Sequence, residues 1–101
     1  MHSVIQHYTS SPSFTDELKK RMKDLESDVS SVPGFIAFYC LKTADGGVIV
    51  TVCDERFGCD EATRRTANFI KKNLSNLKFS TPQTLGGEVS FKFANYKTTK
   101  V

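Results

Sequence analysis

His7 is the residue in this sequence best suited to moving a proton. It sits in the run Ser3 to Thr9 and shares parity with Ile5 and Thr9. An imidazole with an ordinary pKa of about 6.5 could deprotonate a phenolic substrate held in a pocket. The same ring could instead be hydrogen-bonded within a sheet or point into a subunit seam. Tyr8 and Tyr39 bring hydroxyls that could orient a polar ligand in apolar surroundings, or could sit in the core with the OH satisfied. Arg56 and Arg65 could hold an acidic substrate group, or pair at the surface with Asp54 or Glu61. His2 opens the chain and is assigned no role.

The thiols point away from catalysis. Cys40, Cys53 and Cys59 are an odd number, and the first two lie in apolar runs where cysteine behaves as a small buried hydrophobe. No second Cys or His pair stands near Cys53 and Cys59, so the spacing is not that of a zinc site. Cys59 lies near the expected start of a helix, whose dipole could lower its pKa. The sequence carries no glycine-rich phosphate loop and no Ser/His/Asp signature. Neither a metal nor a cofactor is expected.

A chain of 101 residues, 39% hydrophobic and 25% charged, reads as one globular domain. Its net charge of +3 is too small and too spread to mark a nucleic-acid footprint. No apolar run approaches the roughly 20 residues of a membrane helix. Met1-His2-Ser3 leads straight into a strand rather than a secretory leader. A reduced, cytoplasmic protein is the expectation.

The elements that must position these residues begin with the stretch Pro33 to Arg56. Two β-branched and aromatic runs flank Ala44-Asp45-Gly46-Gly47, and Asp-Gly suits a tight hairpin. The first run is apolar at both parities: Phe35, Ala37, Tyr39 and Leu41 on one, Ile36, Phe38 and Cys40 on the other. Before it, Ser3 to Thr9 predicts a strand. Ser13 is a candidate N-cap for a single helix of about 15 residues, with Phe14, Leu18, Met22, Leu25, Val29 and Val32 as its apolar stripe. After the hairpin, Glu61 to Leu74 predicts a second helix whose inner face is Ala62, Thr66, Phe69, Ile70, Asn73 and Leu77. Asn73 to Gln83 reads as a polar connection. Val89, Phe91 and Phe93 alternate with Ser90 and Lys92, which predicts a last strand over Glu88 to Phe93. The tail, Ala94 to Val101, is expected to be mobile or to cross to a partner.

Two split βαβ units with right-handed crossovers give a ferredoxin-like α+β fold: βαββαβ, a four-stranded antiparallel sheet of order 4-1-3-2, two helices on one face. The helices cover one side of the sheet only. The other keeps one full parity of the second strand, either the Phe35 set or the Ile36 set. Exposed apolar patches of that kind are rare on monomers, so a homodimer packed sheet on sheet is expected.

Val32-Pro33-Gly34-Phe35, the hairpin Thr43-Ala44-Asp45-Gly46-Gly47, the segment Glu61 to Ile70 and the entry Gly86-Gly87-Glu88-Val89 together resemble the dimeric α/β-barrel superfamily. The likeness is to its antibiotic-biosynthesis monooxygenase-like domains and spans nearly the whole chain. It implies a dimeric α/β barrel with a pocket between sheet and helices in each protomer. Characterised members are cofactor-independent monooxygenases of quinols and polyketide phenols, with relatives that degrade haem. Those relatives use a tryptophan with a nearby asparagine, and the haem group adds a histidine. This chain has no Trp. The resemblance puts Phe69 where the helix aromatic is expected, but Phe has no N–H to offer; Asn68 is beside it.

The resemblance thus implies a cofactor-free oxygenase acting on a small aromatic ligand, near Phe69 and Asn68; the residues' own chemistry adds His7 as a candidate catalytic base and Tyr8, Tyr39 and Arg65 as candidate substrate contacts. The alternative is a small-molecule-binding dimer without catalysis. An RNA-binding module of the same topology would need stacking aromatics on its central strands. The third strand, Val48-Ile49-Val50-Thr51-Val52, has none.

Overall fold

The computed structural model describes residues 1–95. The elements are β1 (His2–Thr9), α1 (Phe14–Lys20), α2 (Met22–Val29), β2 (Phe35–Thr43), β3 (Gly46–Cys53), α3 (Arg56–Asn73) and β4 (Gln83–Glu88). One antiparallel sheet runs β2-β3-β1-β4, with the helices on one face. This is the expected ferredoxin-like layout.

Val4, Gln6 and Tyr8 of β1 stand opposite Thr51, Ile49 and Gly47 of β3 and face the helices. The ring of Tyr8 stacks on Phe14 at 5.3 Å, and Phe79 meets both edge-on. Leu18, Leu25, Val29, Ala62, Ile70 and Leu74 complete this core. The hairpin loop is Ala44-Asp45, closed by Thr43 opposite Gly46. Gly46 takes φ +143, and a Cβ there would lie 2.2 Å from the Tyr8 carbonyl oxygen, so the turn admits only glycine.

Four local expectations are corrected. First, the leading helix is two, meeting at Arg21. The Arg21 N–H bonds to the Leu18 carbonyl three residues back, and its Nη1 donates to the Glu17 carbonyl. That tightened turn rotates α2 relative to α1, and Met22 leaves the stripe for solvent at 53% exposure. Ser13 occupies the N-cap position, but its hydroxyl pairs with that of Ser11 instead of capping. Second, α3 begins at Arg56, because the Cys59 N–H already bonds to the Glu55 carbonyl. Its buried stripe is Cys59, Ala62, Thr66, Ile70 and Leu74. Phe69 and Asn73, expected on that stripe, are half-buried beside it, with Phe69 packed against the core.

Third, the last strand is Gln83–Glu88, not Glu88 to Phe93. Ser80 already donates to the Thr9 carbonyl, and the Ser10 hydroxyl donates to the Lys78 carbonyl. Pairing with β1 therefore starts with Gln83 opposite His7, and by Glu88 opposite His2 the partner strand is used up. Phe91 and Phe93, 77% and 93% exposed, lie past its end and pack on each other. Most of the tail lies outside the described residues. Fourth, a bulge between Phe35 and Ala37 breaks the parity of β2. Phe35 and Phe38 both pack on the core, while Ala37, Tyr39 and Leu41 share the outer face with Val52, Val50 and Val48.

Arg65 braces α3 to the end of α2. Its guanidinium donates to Glu61, to the Asp28 carbonyl and to the Ser31 hydroxyl. Arg64 makes a two-pronged contact with the same Glu61. Arg64, then Arg65, hold the Glu61 carboxyl down to about 2 from an ordinary 4.5.

This packing has two measurable consequences. Phe14→Ala should lose about 3–5 kcal/mol of stability in urea unfolding, since it empties the ring cluster. A folded pKa below the unfolded one gives stability above pH 4.5 that is lost as pH falls toward about 2. The gap in Tm between the protein and Glu61→Gln should therefore be widest near neutrality and close by pH 2. A gap unchanged with pH would remove Glu61 from the acid response.

Candidate functional site

A cleft of about 580 Å³ opens between α3 and the β1–β4 edge of the sheet. It exists because β4 brings almost nothing to fill it. Gly86 stands opposite Val4 on the helical face and brings no side chain there, which leaves Thr84 as the β4 side chain in the lining. On α3 the spacing of Arg56, Asp60, Thr63, Arg64 and Ala67 puts them on the wall facing it. His2, Val4 and Gln6 form the floor from β1.

Gln6 is a polar residue in a core position, 3% exposed. Its Nε2 donates to the Tyr8 hydroxyl at 3.3 Å, and its Oε1 has no partner. Turning the amide over would let Tyr8 donate to Oε1 and orphan Nε2 instead, so one end of the amide goes unsatisfied either way. Thr63 also carries a buried Oγ1 without a partner. Each such atom costs about 1–3 kcal/mol relative to a satisfied one. A guest hydroxyl at this depth could donate to Gln6 Oε1 and accept from Thr63 Oγ1.

Burial pushes the Tyr8 phenol up to about 12, against the smaller opposing effect of the Gln6 bond. Tyr8 therefore remains a neutral hydrogen-bonding group beneath the cleft. At the surface, Arg56 pairs with Asp60 at 3.6 Å. Arg64 keeps its bonds to Glu61, and its remaining N–H groups border the opening.

The residues singled out from sequence are not gathered here. His7 is on the opposite face of the sheet, its Nε2 3.1 Å from the Asp45 carboxylate. That bond, followed by one from Thr43, lowers the Asp45 pKa. Tyr39 lies on the same outer face, 60% exposed. Asn68 is exposed, off the cleft wall. Arg65 is engaged with α2, and Phe69 packs on the core. Of the expected residues Arg56 lines the cleft directly, and Tyr8 reaches it through Gln6. His2, assigned no role from sequence, is the first residue of β1 and lines the cleft. The legible signal was Gln6 itself, an amide between Val4 and Tyr8 on the buried parity.

Cys59 is fully buried one turn inside α3, donating to the Thr51 carbonyl. Burial, then Cys53, pushes its thiol up to about 12, the reverse of the dipole-lowered expectation. Among the described residues no group of three or more His, Cys, Asp or Glu is placed to hold a metal ion. No helix among them is long and apolar enough to cross a membrane.

No protein-family model matches the sequence. No curated protein matches it either. Solved structures do match. A dimeric ferredoxin-like protein from an uncultured marine organism superposes with a TM-score of 0.69 at 17% identity, over 94% of this chain and 100% of that one. The heme-degrader MhuD from Mycobacterium tuberculosis, with two hemes bound in its active site, gives 0.67 at 18% identity, over 93% and 100%. An antibiotic biosynthesis monooxygenase gives 0.63 at 14% identity, over 88% and 98%. At these identities the likeness is one of fold: the chain has the ferredoxin-like fold that antibiotic-biosynthesis monooxygenase-like structures share.

Proposed function

We propose that the protein is a homodimer whose α3–β1–β4 cleft takes a flat aromatic molecule carrying an ionisable hydroxyl and oxidises it with O2, using no bound cofactor. The orphaned oxygens of Gln6 and Thr63 in one cleft carry this reading. They ask for a polar guest, and Arg56 and Arg64 at the opening favour an anionic one. The fold likeness to a monooxygenase and to a heme-binding protein supports a planar substrate.

In this reading Gln6 and Thr63 orient the ring oxygen, and His2 takes the phenolic proton. The electron-rich anion then reduces O2. With an anthrone-type substrate the ring CH2 loses both hydrogens and gains one oxygen atom, and the second oxygen leaves as water. Haem degradation is not part of the proposal. The cleft offers no Trp, and Asn68 lies off its wall. His7 belongs to the seam between copies, beside Asp45. The dimer rests on the outer sheet face, where Ile5, Tyr39, Leu41 and Leu85 are exposed. Covering each would gain about 1.5–3 kcal/mol.

The oxygen electrode tests the chemistry with a panel of anthrones and quinols. We expect uptake above buffer. Gln6→Met, which keeps the volume and removes the amide, should lower it about tenfold or more, with an unchanged circular dichroism spectrum as the control for folding. His2→Ala should lower it about a hundredfold or more. Ala67→Trp, which fills the cleft, should abolish both uptake and ligand-induced thermal shifts. A thermal shift without uptake would leave a binding dimer and remove the oxygenase. Uptake indifferent to all three substitutions would remove the cleft.

A further inference from the structure

We propose a second ligand site, for a linear amphipathic carboxylate such as a fatty acid, in the groove between α1–α2 and β2. The groove holds about 900 Å³ and is independent of the α3 cleft. The break at Arg21 falls beside it, and Met22 and Leu25 of α2 line the opening together with Phe38 and Cys40 of β2.

The lining has an apolar stretch and a polar end. Leu18, Met22, Leu25 and Phe38 supply the apolar length. Thr15, 9% exposed, borders the groove with an Oγ1 that has no partner. Its methyl is already committed to the sheet, with Cγ2 2.8 Å from where a Cβ on Gly47 would stand. The hydroxyl is therefore open to a guest. At the rim stand Lys19 and Lys42 against one acid, Asp16. Lys42 pairs with Asp16 at 3.2 Å. Lys19 has no ion-pair partner among the described residues. An alkyl chain on the apolar length and a carboxylate between the Thr15 hydroxyl and the Lys19 ammonium satisfy every group the groove leaves open.

Cys40 reports on occupancy, because it is exposed in the groove while Cys53 and Cys59 are fully buried. N-ethylmaleimide should label the folded protein at Cys40, and dodecanoate below its micelle concentration should slow that labelling. Across octanoate, decanoate and dodecanoate the protection constant should tighten about threefold to fourfold per methylene. Dodecanol should protect about fivefold less well than dodecanoate, and Lys19→Gln should erase that difference. Thr15→Val should weaken dodecanoate severalfold, with an unchanged circular dichroism spectrum as the control for folding. Gln6→Met, in the other cleft, should leave protection unchanged. Equal protection by alcohol and acid would overturn the assignment. So would labelling indifferent to every chain length. Labelling that slows with protein concentration alone would place a second copy in the groove and overturn it too.

Discussion

The sheet has two apolar faces, and the chain's helices close only one. Ile49, Thr51 and Cys53 of β3 turn toward the helices, while Val48, Val50 and Val52 turn away. The flanking strands repeat the division: Val4, Gln6 and Tyr8 inward, Ile5 and His7 outward, with Tyr39 and Leu41 on the outer side of β2. The inner face is sealed by the Tyr8–Phe14–Phe79 cluster and by α3. The outer face holds Leu85 at 71% exposure, a state that hydrophobic burial disfavours. A second copy supplies the missing layer in our account, and the bulge at Ile36 decides what it meets.

Both openings on the helical side come from local shortfalls in filling that face. Beside α3, Gly86 puts no side chain on the helical face of β4, and a cleft opens there. Beside α1 and α2, a groove opens where the helix breaks at Arg21. Each opening keeps a buried oxygen unsatisfied, Gln6 and Thr63 in one and Thr15 in the other. Orphaned buried groups are few in native proteins, and of the four here only Thr51 Oγ1 lies away from both openings. The fully buried thiols, by contrast, belong to the core.

Much of the fold was legible because it rests on short-range rules. Asp45-Gly46 marked the hairpin, whose loop is Ala44-Asp45 with Gly46 closing it, and periodicity found the first strand and the body of α3. The failures came where tertiary geometry overrules pattern. Val89, Phe91 and Phe93 alternate as a strand should, but β1 has no residues left to pair with them. The six-residue stripe of the first helix ignored that one three-residue turn would expel Met22. The candidate site was less legible still. His7 and Tyr39 have the right chemistry on the wrong face for the cleft, and parity alone does not say which face the helices take. His2 and Thr63 gain meaning only from Gly86, whose contribution is empty space.

Sedimentation equilibrium at micromolar concentration tests the central claim, that the outer face of the sheet is covered by another copy of the chain. The account predicts a single species at twice the 11.3 kDa chain mass, converted to monomer by the paired substitution Tyr39→Lys and Leu85→Lys. A monomer throughout that range, still cooperatively folded, would contradict it.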